Sequence, residues 1–307
     1  MMVPAYLLMC LIFGTTFLAI KVGLNEGLPP FTMATLRFLV AALLVLSFLT
    51  FVKKLSWPKK ASDYLEITLL GILQTSIPFA ALFWAEQHVS SGTAALLVAT
   101  APIFIGLMSR IDRGQWLGVL IALGGVYLIV FPDIGVSDGT WVNDLAKGSI
   151  IVSEIAFAYG VIRSKRFLAT GISPQIFNGL QMLFASLVLG LAALTLERPS
   201  ATAWTTTGTL SLLYLTVVAS VLASGIYYWL LKVTNPLFPS TWTYVSPIIA
   251  MLAGALVLNE QLTVLGVTGA LLVIGGVVVM NITLFRSLWQ LYKKKDKSPA
   301  EHKASVS

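Results

Sequence analysis

Charge is what this sequence has least of. Asp, Glu, Lys and Arg make up 11% of its 307 residues, against about 25% in a soluble globular domain, while 57% are hydrophobic. Such a chain cannot clothe a water-facing surface, so the composition implies a bilayer. Cysteine is nearly absent too. Cys10 is the only one, which excludes an intramolecular disulfide and gives no support to a thiolate metal site. Two histidines, and Asp residues confined to loops and helix ends, leave no cluster for membrane-embedded metal chemistry. No Gly-rich stretch leads into Gly-Lys-Ser or Gly-Lys-Thr, so no nucleotide-binding loop is marked. These absences call for no cofactor and no metal, and they argue against an enzyme.

Long apolar runs are what the sequence has instead. Ten of them predict transmembrane helices, over 3–23, 31–52, 64–84, 91–110, 115–131, 147–166, 174–196, 208–230, 238–258 and 264–286, because a bilayer core of about 30 Å needs roughly 20 helical residues. No Lys or Arg precedes the first run and no small-residue cleavage pattern follows it, so it reads as a retained helix.

The chain also repeats itself. At an offset of 144, Phe13 falls on Phe157, Lys21 on Lys165, Pro30 on Pro174 and Leu39 on Leu183; at 145, Trp84 falls on Trp229, Pro102 on Pro247 and Ile103 on Ile248. Gly118, Gly124 and Gly125 fall on Gly269, Gly275 and Gly276 at 151, so the first copy lacks six residues before its last helix. The expected organisation is a first five-helix repeat (1–131), an extracytoplasmic connector (132–146), a second repeat (147–286) and a basic tail (287–307). Five is odd, so the second repeat enters the bilayer from the opposite side. This predicts an all-α membrane protein of ten transmembrane helices in two inverted-topology repeats, an arrangement suited to alternating access.

Basic residues orient it. With the amino terminus cytoplasmic, Lys53, Lys54, Lys59, Lys60, Arg110, Arg113, Arg163, Lys165, Arg166, Lys232 and the tail lysines lie inside, against Lys21, Lys147 and Arg198 outside. Both termini are therefore expected in the cytoplasm of a cell-membrane protein, with the tail near anionic headgroups and no role in binding nucleic acid.

In this order, Phe13-Gly14-Thr15-Thr16-Phe17, Lys21, Pro29-Pro30, Arg37-Phe38, the run from Trp84 to Ala95 and Ala101-Pro102 resemble an EamA-type domain of the drug/metabolite transporter superfamily. The second half, with Ser246-Pro247 and Asn259-Glu260 before Gly269, resembles another. The resemblance implies a ten-helix carrier exporting amino acids and related metabolites, with a cavity lined by helices three, four, eight and nine and parts of one and six. The sequence departs from the family where an acid before helix five is missing, and where Glu154 replaces an apolar or small residue.

Few ionisable residues fall inside the predicted helices, where burial is costly unless the group is paired or faces water. Glu154 is a candidate for proton coupling or for holding a substrate amine; alternatively Arg37 or Lys21 neutralises it, or it is interfacial. Arg37 suits a substrate carboxylate or, near the outer end of its helix, a structural pair or snorkelling. Lys21 and Lys165 read as interfacial anchors. Trp242, with Thr241, Tyr244, Tyr228 and, in the other repeat, Trp84, offers an aromatic and hydroxyl face for an amphipathic metabolite. Gln74, Asn178 and Gln181 suit either the cavity or interhelical bonding. Pro102 and Pro247 are the expected helix breaks, while Glu86 and His88 are expected in a solvated outer loop. The function expected is a secondary transporter, an exporter of amino acids or related metabolites coupled to protons through Glu154. The alternatives are a membrane-embedded enzyme acting on lipid-linked substrates and a polytopic receptor or scaffold.

Overall fold

The computed structural model describes residues 2–51, 57–89, 91–134, 141–198, 204–257, 264–282 and 286. Every described element is helical: α1 (Met2–Asn25), α2 (Pro30–Phe51), α3 (Ala61–Ala85), α4 (Ser91–Ser109), α5 (Arg113–Ile134), α6 (Trp141–Leu168), α7 (Pro174–Leu196), α8 (Thr206–Val233), α9 (Leu237–Ser240 and Trp242–Val257) and α10 (Val264–Met280). Seven of these, α1 to α4 and α6 to α8, are long and apolar enough to cross a membrane, and α5 and α10 contribute the shorter apolar stretches Arg113–Ile129 and Val264–Met280. Helix is forced by the solvent: in lipid each backbone donor and acceptor must be satisfied within its own segment. The outer faces are apolar, as lipid requires. Leu7, Leu11 and Leu18 lie exposed along one side of α1 while Phe13, Phe17 and Ile20 are buried.

Two expected boundaries move. The connector was expected over 132–146, but α5 runs on to Ile134 and α6 already begins at Trp141. Asp144 lies in the first turn of α6 with the Lys147 ammonium 3.8 Å away, and an acid there favours the helix N-terminus. Residues 287–307, including the basic tail, and Glu260 lie outside the described residues.

Corresponding turns in the two halves share a conformation. Gly27 (φ 90°) and Gly171 (φ 105°) occupy the left-handed region, which a residue with a Cβ adopts at a cost. Pro30 and Pro174 follow as the first residues of α2 and α7, where proline's missing donor costs nothing.

Helices at corresponding places in the two halves pack as antiparallel pairs. Gly118 of α5 meets the backbone of Gly276 and Met280, whereas Gly125 meets Gly269 and Val273, so α5 and α10 run in opposite directions. Thr35 and Val45 of α2 meet Gly190 and Gly179 of α7 in the same reversed order. Small residues permit this close backbone approach.

Two of the long helices are not α-helical throughout. Ile72–Ser76 in α3 and Tyr214–Ala223 in α8 are π-helical, a form that is rare and often found at functional sites. Two others are broken. Thr100 interrupts α4, its hydroxyl donating to the Leu97 carbonyl at 2.7 Å, and Thr241 interrupts α9 by donating to the Phe238 carbonyl at 2.7 Å. Pro102 follows the first break directly. Pro247, expected to break its helix, instead lies inside the continuous segment Trp242–Val257; the threonine side chain offers the backbone an alternative partner six residues earlier.

Lys21 and Lys165, expected as surface anchors, close helix ends. The Lys21 ammonium donates to the carbonyls of Glu86 (2.5 Å) and Val89 (3.3 Å) after α3, and Lys165 donates to the Lys232 carbonyl (2.7 Å) in α8. Carbonyls left open at a helix C-terminus attract a cation more directly than distant headgroups do. Glu86, expected in a solvated loop, is 0% exposed and neither carboxylate oxygen has a partner. Burial pushes its carboxyl well above the usual range, with the Lys21 ammonium offsetting part of the rise.

Candidate functional site

Phe13, Thr16 and Phe17 of α1 face Arg37 and Phe38 of α2 across a central cavity. Its wall also includes Gln74, Thr75 and Phe79 of α3, Val98 of α4, Glu154 and Phe157 of α6, Gln181 of α7, Tyr227 and Tyr228 of α8, and Trp242 and Thr243 of α9. The centre of a water molecule can move through about 80 Å³ of it.

The cavity's acid is Glu154, which is 4% exposed. Because α6 starts at Trp141, this residue stands about three and a half turns into its helix, deeper than the two turns expected from a start at 147. It is not interfacial, and it is not neutralised by Arg37 or Lys21: the ion pairs among the described residues are Lys147–Asp144 and Arg163–Glu66.

The cavity's cation is Arg37. It does not snorkel, since it is 1% exposed and its guanidinium carbon stands 4.8 Å from the ring centroids of both Phe38 and Phe79. Its Nε donates to Ser220 Oγ at 2.8 Å, in the π segment of α8, and its Nη1 has no partner. Across the cavity Thr75, in the π segment of α3, donates to Gln181 Oε1 at 2.6 Å. Gln74 donates to Ser164 Oγ at 2.6 Å, leaving its Oε1 unpartnered.

Of the ten residues proposed for the cavity from sequence, Arg37, Gln74, Glu154, Gln181, Tyr228 and Trp242 line it. Trp242 packs against Phe13, with ring centroids 4.6 Å apart. Thr241, Tyr244, Asn178 and Trp84 are elsewhere. The Thr241 hydroxyl is taken by Phe238 and by Tyr6 (2.6 Å), and Thr243 and Ser246 donate to carbonyls of their own helix at 3.0 Å. The expected hydroxyl face is therefore largely spent on backbone. Tyr244 is fully buried with its hydroxyl unpartnered, Asn178 contacts the Ser220 carbonyl at 3.4 Å, and Trp84 packs edge-on against His88. Sequence reasoning missed Phe79, Thr75 and Ser220. A signal existed for others: Phe13 and Phe157, matched at offset 144, both line the cavity.

Two stretches, residues 1–131 and 147–282, match the EamA-like transporter family. The chain belongs to that family. An uncharacterized transporter, YdfC, of Bacillus subtilis (strain 168) is 30% identical over 282 residues, covering 88% of this chain and 87% of its own. The uncharacterized inner membrane transporter YedA of Escherichia coli (strain K12) is 29% identical over 260 residues, covering 82% and 81%. A crystal structure titled only as that of a protein superposes with a TM-score of 0.76, at 16% identity, over 92% of this chain and 96% of its own; it shares the fold. Membership of the EamA family makes this a membrane protein with relatives named as transporters. Its two matched stretches meet the cavity from both sides: Phe13, Arg37 and Gln74 belong to the first, Glu154, Gln181 and Trp242 to the second.

Proposed function

We propose that this EamA family member is a secondary transporter, an exporter of amino acids or related small metabolites that works by alternating access across the cell membrane. The observation that carries the reading is the antiparallel pairing of α2 with α7 and of α5 with α10, around a cavity that both family matches line. Counterpart helices running oppositely are what two inverted five-helix repeats require; on this reading ten crossings return both termini to one side, and the basic residues of the loops on that side make it the cytoplasm. Glu154 is the proton-coupling group: a carboxyl buried this deep, with no cation beside it, changes charge only by taking or releasing a proton.

Uptake of labelled amino acids into proteoliposomes, with and without a pH gradient, tests both statements. Wild type is expected to show saturable flux that the gradient accelerates, and Glu154→Gln to retain substrate binding while losing the acceleration. Full pH-driven flux in Glu154→Gln would sink the proton role. Saturable binding without flux in wild type would sink the carrier.

A further inference from the structure

Arg37 carries a charge that no carboxylate among the described residues pairs with. It is 1% exposed. Among the described residues its hydrogen bond is to a neutral hydroxyl, and Nη1 has no partner. A buried unpaired charge is among the costliest features a protein can hold. Glu154 lines the same cavity, yet the two are not joined, as they would be if their purpose were mutual neutralisation.

In the other half of the chain the same place is held by a neutral residue. At the offset of 144 the counterpart of Arg37 is Gln181, and that of Ser220 is Ser76. Gln181 makes an analogous contact with the π segment of α3, accepting from Thr75 at 2.6 Å. A neutral amide therefore does the positional work of tying the second helix of one repeat to the π segment of the other. The guanidinium adds a planar fork of donors, set against the edge-on pair of Phe38 and Phe79 rings, which suits a carboxylate. One cation sharing a cavity with one carboxyl balances a monoanion better than a phosphate dianion.

We propose that Arg37 is the receptor for a substrate carboxylate, and that the cavity selects organic monocarboxylates whose apolar body packs against Phe13, Phe17, Phe79 and Trp242. This deepens the transporter reading and rests on it for the word substrate alone. The experiment is calorimetric titration of the purified full chain in detergent with two matched pairs: 3-phenylpropanoate against 3-phenylpropanamide, and L-leucine against L-leucinamide. Wild type is expected to bind at least one acid about tenfold or more tightly than its amide. Arg37→Gln, which can still contact Ser220, is expected to weaken that acid's binding by about 10- to 100-fold, the usual worth of hydrogen bonds to a charged group, and to leave the amide unchanged. Arg37→Lys, keeping the charge without the fork, is expected to fall between them. Equal or no binding of acid and amide by wild type would overturn the proposal, as would a preserved acid preference in Arg37→Gln. Acid-selective binding with no flux in proteoliposomes would overturn the carrier reading and leave the role of Arg37 standing.

Discussion

Arg37, Glu154 and Glu86 are three ionisable side chains buried almost completely, and each is handled differently. Arg37 is stacked and singly bonded, Glu154 opens on the cavity, and Glu86 stands outside it with both oxygens unpartnered. Glu86 makes a stability prediction with a definite sign. Its folded-state carboxyl is raised above the ordinary value by burial, so above that value the unfolded chain is ionised while the folded chain holds the proton. The folded state binds more protons there, and stability falls as pH rises. Glu86→Gln removes this dependence. Its melting temperature at pH 8 should exceed that of wild type by about 2–4 °C for each kcal/mol recovered, and the gain should shrink toward pH 5. A melting-temperature difference that stays constant between pH 5 and pH 8 would show that the carboxyl is not proton-linked to folding.

At the scale of elements, α5 and α10 meet along a glycine seam. A Cβ at Gly125 would lie 2.6 Å from the Gly269 carbonyl oxygen, which is backbone and has no rotamer to yield, whereas at Gly124 nothing lies within 4 Å. Gly125→Leu should therefore part the two helices, costing about 1–3 kcal/mol as overpacking does, while Gly124→Leu should insert and melt like wild type. Equal thermal stability of the two variants in detergent would contradict the seam. The glycines were visible in the sequence as a repeated pattern. Which of them faced the partner was not, because a run of apolar residues on every side leaves no polar stripe to mark the buried face. The π segments of α3 and α8 were likewise illegible: the groups that meet them, Arg37 on Ser220 and Gln181 on Thr75, come from helices distant in the sequence.

For the molecule as a whole, inversion of the second repeat is the claim with the most consequences. Asn25 and Ala169 are exposed residues before the two glycine turns, 144 positions apart. In intact cells, a membrane-impermeant maleimide should label Asn25→Cys from outside and reach Ala169→Cys only after the membrane is opened; the native Cys10 is buried. Labelling of both from the same side would refute the inverted arrangement. The inverted arrangement would put the carbonyl clamps of Lys21 and Lys165 at opposite ends of the molecule.

Composition alone determined that this chain lives in a bilayer, because so few charges cannot cover a surface in water. Repetition of Phe13, Lys21, Pro30 and Trp84 in the second half determined that it is built twice, since residues at a fixed offset report a shared ancestral unit whatever their contacts. Glu154, Gln74, Gln181 and Trp242 could be nominated for the cavity because polar and aromatic groups are rare in these helices. Only the tertiary structure decided the rest: that Thr241 and Thr243 spend their hydroxyls on carbonyls, that Thr241 rather than Pro247 breaks α9, that Glu86 is buried, and that Arg37 lies inside with a donor left open. The reason is common to all of them. Within a helix the sequence specifies which groups exist, but whether a side chain turns back to its own backbone, as Thr241 and Thr243 do, or meets another helix, as Arg37 does, is set by packing.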